Sequence, residues 1–243
     1  MDIQTMESPS RNGERSQRAY ARLAGLMFLV VLGFDIGGLA IASAIHGGGS
    51  FLDASRNIAA WEPLYRIGLL FGLAGSLATI LLAVALYVTL KPVDGNLALT
   101  ALLFRVVEAA GIGNAGFATL QIYLAANHDN AFSSSQLSAL ANFGSGPERS
   151  YISAIFFCVG STIFFYLFLK SAYIPKLIAA WGLLASPVYM LAFVGSLIAP
   201  QHSGMFLLAG SIPIAVAEVS TGLWLLIRGI KVPAVPSPLE GRR

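Results

Sequence analysis

The sequence predicts an all-α fold, an integral membrane bundle of six transmembrane helices with both termini in the cytoplasm. Three observations predict it. Of 243 residues, 56% are hydrophobic and only 11% charged, with a mean hydropathy of +0.73. A soluble domain carries about 25% charged residues, so a chain this poor in charge cannot cover a water-facing surface and must be covered by lipid. Six apolar stretches run at about 22–46, 64–90, 97–125, 150–170, 176–199 and 204–228. Each can supply the ~20 helical residues that a ~30 Å hydrocarbon core demands. None alternates as a transmembrane strand would, and lipid offers the backbone no partner outside a helix.

The third observation is where the bases fall. Under six spans, Arg11, Arg15, Arg18, Arg22, Lys91, Lys170, Lys176, Arg228, Lys231, Arg242 and Arg243 share one side. Only Arg56, Arg66 and Arg149 fall on the other, and Arg105 lies inside a span. That bias sets both termini in the cytoplasm of a cell (inner) membrane.

Taken in order, residues 1–19 are polar and read as a disordered cytoplasmic tail. Residues 20–230 form the six-helix domain, and 231–243 a short cytoplasmic tail. The even-numbered spans end alike: Tyr87 before Lys91 and Pro92, Tyr166 before Lys170, Trp224 before Arg228. An aromatic four residues before a base puts both on one helix face, the ring at headgroup depth and the base at the anionic surface. The first outer loop holds Gly47-Gly48-Gly49 and then a short interfacial helix from Asp53 to Trp61. The second, at about 126–149, holds a weakly amphipathic piece around Leu137, Leu140 and Phe143. Ala42-Ser43-Ala44 looks like a signal cleavage site, but the apolar run before it exceeds the ~7–15 residues of a signal h-region, so it reads as an uncleaved anchor.

Small residues at four-residue spacing, Gly33 and Gly37 in the first span and Gly68, Gly72 and Ser76 in the second, suit close helix contact in lipid. The fourth span's Phe156, Phe157, Phe164, Phe165, Tyr166 and Phe168 suit a lipid-facing surface. Pro187 and Pro213 fall inside the last two spans, where proline kinks helices. The lone Cys158 permits no intrachain disulfide. The pI near 9.1 comes from bases at span ends, so the partner is the lipid bilayer and not nucleic acid. A second copy or another membrane protein as partner stays open.

The stretches RLAGLMFLVVL, LYRIGLLFGLAGSLATILLAVALYVTLKPVDGNLALTALLFRVVEAAG and GLWLLIRGIK resemble a bacterial membrane family, the domain of unknown function 4386 family. The likeness runs from the first span to the sixth, and LYRIG and FRVVEA are its most specific parts. It implies a bacterial six-helix membrane protein and carries no site residue or cofactor onto this chain.

Chemistry is sought where burial makes charge costly. Asp35, Arg105, Glu108 and Glu218 are ionisable residues inside spans, each costing roughly 2.5–3.5 kcal/mol at a helix centre. Counted from the cytoplasmic helix ends at ~1.5 Å per residue, they lie roughly 20, 12, 16 and 15 Å deep, so one layer holds all four. Arg105 and Glu108 share a face of the third helix. Three acids against one base describe either a proton or cation relay or a polar core that specifies the fold. Asn114 and Gln121, nearly opposite Arg105 on the third helix, suggest that this helix sits at the bundle centre. An ion pair from Arg105 to Glu108 or Glu218 is expected, the latter requiring the sixth helix to pack on the third.

His46, His128 and His202 map to outer loops or span ends. Three imidazoles can hold a zinc with water in the fourth position, but none has the i, i+4 or HExxH spacing of a specific motif. There is no phosphate loop, no GxSxG and no cysteine pair, so neither a catalytic residue nor a cofactor is assigned. Three function classes follow. The first is a non-enzymatic membrane protein, the second a small-solute or proton/cation-coupled transporter built on the charged layer, and the third an outward-facing hydrolase built on the histidines. A cavity reaching the acids would favour transport.

Overall fold

The computed structural model describes residues 9–112, 115–128, 132–145 and 151–231. Asn114, Arg149 and the segments 1–8 and 232–243 lie outside them. Among the described residues every element is helical: α1 (Pro9–His46), α2 (Phe51–Ala60), α3 (Glu62–Leu90), α4 (Gly95–Ile112), α5 (Ala115–Ala125), α6 (Ser134–Ser145), α7 (Tyr151–Ser171), α8 (Lys176–Ile198) and α9 (Ser203–Ile227), with a 3-10 turn at Pro200–His202. Among the described residues six segments are long and apolar enough to cross a membrane: α1 from Gly13, α3, α4 with α5, α7 from Ser153, α8, and α9 with its preceding turn. They form a multi-pass membrane bundle in which the start of the first span and the end of the sixth, six crossings apart, lie on one face, called here the terminal face.

Local chemistry sets the helix limits. Pro92 follows the last turn of α3, where the Lys91 ammonium lies 5.7 Å over the Tyr87 ring, the stacking that the exit pattern predicts. Asp94 then accepts the Leu97 N–H at 3.1 Å and opens α4. α1 and α9 close on Gly47 and Gly229, at φ +66° and +67°, left-handed positions where a Cβ would be strained. Pro187 and Pro213 sit inside α8 and α9, which continue through them; the Trp181 indole donates to the Pro213 carbonyl at 2.9 Å.

Packing joins each span to its neighbours in sequence. α1 lies on α3, α3 on α4, α4 on α7, α7 on α8, α8 on α9, and α9 returns to α1. The bundle is a closed ring of six, and the third span belongs to its wall. This overturns the central placement of that helix. Leu99, Leu103 and Val107 on α4 face outward, and Gln121 is exposed, so its polarity marks the far end of the span and no second interior face.

Each seam of the ring carries a glycine, because van der Waals contact and not water drives helices together in lipid. A Cβ on Gly25 of α1 would lie 2.7 Å from the Gly222 carbonyl oxygen of α9. One on Gly38 would lie 3.0 Å from the Gly68 carbonyl oxygen. Gly116 faces Leu69, Gly111 faces Ser153, Gly182 carries the Phe165 ring, and Gly210 meets Ala192. Gly33 and Gly72, two of the four-spaced glycines, have open space beside them instead.

Two apolar cores result. The larger fills the ring towards the terminal face, with Phe28, Leu86, Phe164, Phe165, Phe168 and Leu225 among its residues. The fourth-span phenylalanines therefore differ from expectation: Phe164, Phe165 and Phe168 are buried in protein, and Tyr166 is the one turned outward. The smaller core caps the distal ends of the first three spans with α2 and α5, through Ile45, Ile58, Leu120 and Tyr123; α6 packs on α5. Ser50 caps α2 reciprocally with Asp53, and the Ser50 side-chain and backbone hydrogen bonds hold the Asp53 carboxyl below its ordinary range.

At the terminal face the sequence reading starts order at residue 20, whereas α1 begins at Pro9. Gln17 supplies the reason. It is buried, and its amide donates to the Thr89 carbonyl at 2.7 Å and lies 3.1 Å from the Tyr173 hydroxyl. Residues 13–19 thus fold as an extension of the first span, tied to the second span and to the α7–α8 turn.

Candidate functional site

Between the two cores the ring is not filled. A cavity of about 470 Å³ lies among the spans, within the ~300–1,000 Å³ typical of small-molecule sites. Asp35 of α1, Arg105 and Glu108 of α4, and Glu218 of α9 all line it. The four in-span charges therefore meet at one space. In ring order, α4 and α9 stand on opposite walls, with α1 between α9 and α3. Glu218 reaches the layer of Arg105 across the cavity and not by the direct packing of helix six on helix three that the sequence suggested.

Arg105 is the most constrained of the four. Its stem crosses α7 at Gly160, where an added Cβ would lie 3.1 Å from Cγ of Arg105. Its guanidinium carbon stands 4.8 Å from the Phe157 ring centroid, a cation–π contact, and Nη1 donates to Ser161 Oγ at 3.4 Å. The same Nη1 lies 3.0 Å from Glu108 Oε2, and both side chains are almost wholly buried. The expected ion pair exists, but the N–H is not aimed along it, for Oε2 accepts no hydrogen bond. Glu108 thus keeps a buried, incompletely satisfied oxygen in the cavity wall. Such a group costs free energy unless something else meets it.

Glu218 and Asp35 are more open: Glu218 is half-buried and Asp35 exposed, and both line the cavity. Asp35 Oδ1 lies against α3, 3.0 Å from where a Cβ on Gly75 would be. Aromatic rings of Phe28, Phe157, Tyr189 and Phe193 complete much of the wall. Sequence reasoning missed Phe157 and Ser161 as partners of Arg105. Their signal was slight, a Gly-Ser pair inside a phenylalanine-rich span.

The three histidines do not gather as a metal-ligand group among the described residues. His46 Nε2 lies 2.8 Å from the Tyr123 hydroxyl and Nδ1 3.2 Å from the Gly47 carbonyl oxygen. His202 lies in the turn before α9, and His128 follows α5. No group of three His, Cys, Asp or Glu gathers as metal ligands among the described residues. Arg66 is accounted for by Glu62, with Nε 2.7 Å and Nη2 2.6 Å from Oε1.

The geometry is that of a membrane ring with a charged, aromatic-walled chamber, sealed by a packed core towards its terminal face. A family model described as "Domain of unknown function (DUF4386)" matches residues 23–229, which takes in most of the first span, the other five and all four charges. No curated protein and no solved structure matches the chain.

Proposed function

This chain belongs to the DUF4386 family, a domain of unknown function, and from that premise we propose that it is a small-solute carrier, with the acid and arginine layer as its binding and proton- or cation-handling element. One observation carries the reading: the four charges line a single cavity of ligand size. A polar core serving only to specify the fold would be packed and fully hydrogen-bonded. Here Glu108 keeps an oxygen without a hydrogen bond, and Glu218 and Asp35 face open space.

Solvent access to the chamber tests it. In a Cys158→Ala background, single cysteines at Ser211 and Ala215, which line the cavity, are expected to react with a membrane-impermeant thiol reagent added from the distal face. A cysteine at Ala85, in the packed core, is expected to stay unlabelled. Silence at both cavity positions would remove the carrier reading.

We also place both termini in the cytoplasm of the inner membrane, from the excess of bases on the terminal face. Reporters active on one side only, fused after Gly95, His128, Ser171, Ser203 and Arg243, are expected to give cytoplasmic signals at Gly95, Ser171 and Arg243. His128 and Ser203 should give outer signals. An outer signal at Arg243 reverses the orientation.

A further inference from the structure

We infer that the ligand of this chamber is a lipophilic organic cation, and that it reaches the acids through an apolar vestibule whose inner end is Asp35. The inference rests on the carrier reading and names its substrate class. Three carboxyl groups face one guanidinium in the chamber, so acid groups outnumber the one base beside them. Glu108 Oε2, on a residue only 6% exposed, adds a buried acceptor that is ion-paired with Arg105 but accepts no hydrogen bond. Four aromatic rings stand around these acids, and Tyr189 lies edge-on to both Phe157 and Phe193, with ring centroids 5.7 and 6.4 Å apart. Acids within an aromatic wall suit a positive charge carried on an apolar body.

A second space supports the same class independently. A groove of about 270 Å³ lies where α1, α3 and α5 meet, and it shares Asp35 with the chamber. Apart from Asp35, its lining consists of glycine, alanine, leucine and phenylalanine. Leu39 on its edge is 71% exposed, so the groove is open to the surroundings. A hydrophilic ion gains nothing in such a passage, whereas an apolar cation is solvated by its walls and drawn on by the carboxyl at its end. Gly72 lines the groove and has no heavy atom within 4 Å of where its Cβ would stand. A side chain there would fill the passage without colliding with the fold. Gly33 is equally open but lines neither space, and so provides the control.

The test is equilibrium and kinetic binding of tritiated tetraphenylphosphonium to the full chain in nanodiscs, against empty nanodiscs. Its lipophilic anionic counterpart, tetraphenylborate, and the hydrophilic tetramethylammonium are assayed in separate samples, each labelled and each by its own direct binding. Saturable binding of the phosphonium and of neither of the others is expected. Glu218→Gln and Asp35→Asn should each weaken it about ten-fold, the equivalent of ~1.4 kcal/mol. Gly72→Leu should slow association several-fold while Gly33→Leu matches the wild type.

Saturable binding of tetraphenylborate as tight as that of the phosphonium would overturn the cationic class. Saturable binding of tetramethylammonium without phosphonium binding would overturn the lipophilic class and leave the carrier reading standing. An unchanged association rate in Gly72→Leu would overturn the vestibule alone. Absence of all binding, with cavity cysteines that label, overturns this ligand class only; absence with unlabelled cysteines overturns the carrier reading as well.

Discussion

Arg105→Ala is expected to lose about 3–5 kcal/mol of stability, the range found when one partner of a buried ion pair is removed. The folded yield in detergent and the melting temperature should fall together. The substitution takes away the 3.0 Å charge contact to Glu108, the stacking on Phe157 and the donation to Ser161. It leaves the Glu108 carboxyl buried without its cation, and that stranded acid is the largest part of the loss. Glu108→Gln in the Arg105→Ala background is therefore expected to restore much of the stability, giving a coupling of more than about 1 kcal/mol in a double-mutant cycle. Arg105→Lys should fall between, because an ammonium keeps the charge but not the flat face on Phe157.

The cycle also separates structure from function. The Arg105→Ala, Glu108→Gln pair should fold yet fail to carry its ligand if the layer is a working site, and should keep activity if the layer only holds the fold. A wild-type melting temperature for Arg105→Ala would remove the ion pair as a stabilising element. Rescue by Glu218→Gln but not by Glu108→Gln would move the partnership across the cavity.

That the pair was legible at all follows from its locality. Arg105 and Glu108 are three residues apart on one helix, and helix geometry alone brings them to one face. The spans were legible for a similar reason, since length and hydropathy are properties of a continuous segment. So were α2, from its place between the glycine run and Trp61 in the first outer loop, and the Tyr87–Lys91 contact at the exit of α3.

What the sequence withheld is mostly what lies between helices. Lipid is as apolar as a protein core, so a phenylalanine gives no sign of which it faces, and Phe164, Phe165 and Phe168 face the core. Polarity is informative only at mid-membrane. Gln121, near the distal end of its span, was therefore a poor guide to the bundle centre. The order of residues 13–19 depends on Thr89 and Tyr173, which lie 72 and 156 residues from Gln17 and have no local signature. Glu218 lines the same cavity as Arg105 but from the opposite wall, which helical rise could not tell, because rise is counted along one helix and the wall depends on ring order.

The ring itself makes the other large prediction, at the seam where the sixth span returns to the first. Gly25→Ala is expected to lower the melting temperature sharply, at a cost of about 1–3 kcal/mol or more from overpacking. The added methyl would meet the backbone nitrogen of Leu226 and the Gly222 carbonyl. A side chain can rotate away from such a contact, but helix backbone can only move as a body. Gly222→Ala probes the same seam from the other side, where the Cβ would lie 2.9 Å from Cβ of Phe28 and 3.3 Å from the Gly25 carbonyl oxygen.

Because both methyls push the same two helices apart, the double variant should cost less than the sum of the single ones. Gly33→Ala lies on the same helix with nothing within 4 Å. It controls for helix propensity, which by itself favours alanine over glycine by roughly 1 kcal/mol. Thermal denaturation of the four proteins in one detergent decides the matter. A melting temperature for Gly25→Ala at or above that of Gly33→Ala would mean that α1 and α9 do not close the ring through this glycine pair, and the chamber would then lack the seal that the seam gives it on its terminal side.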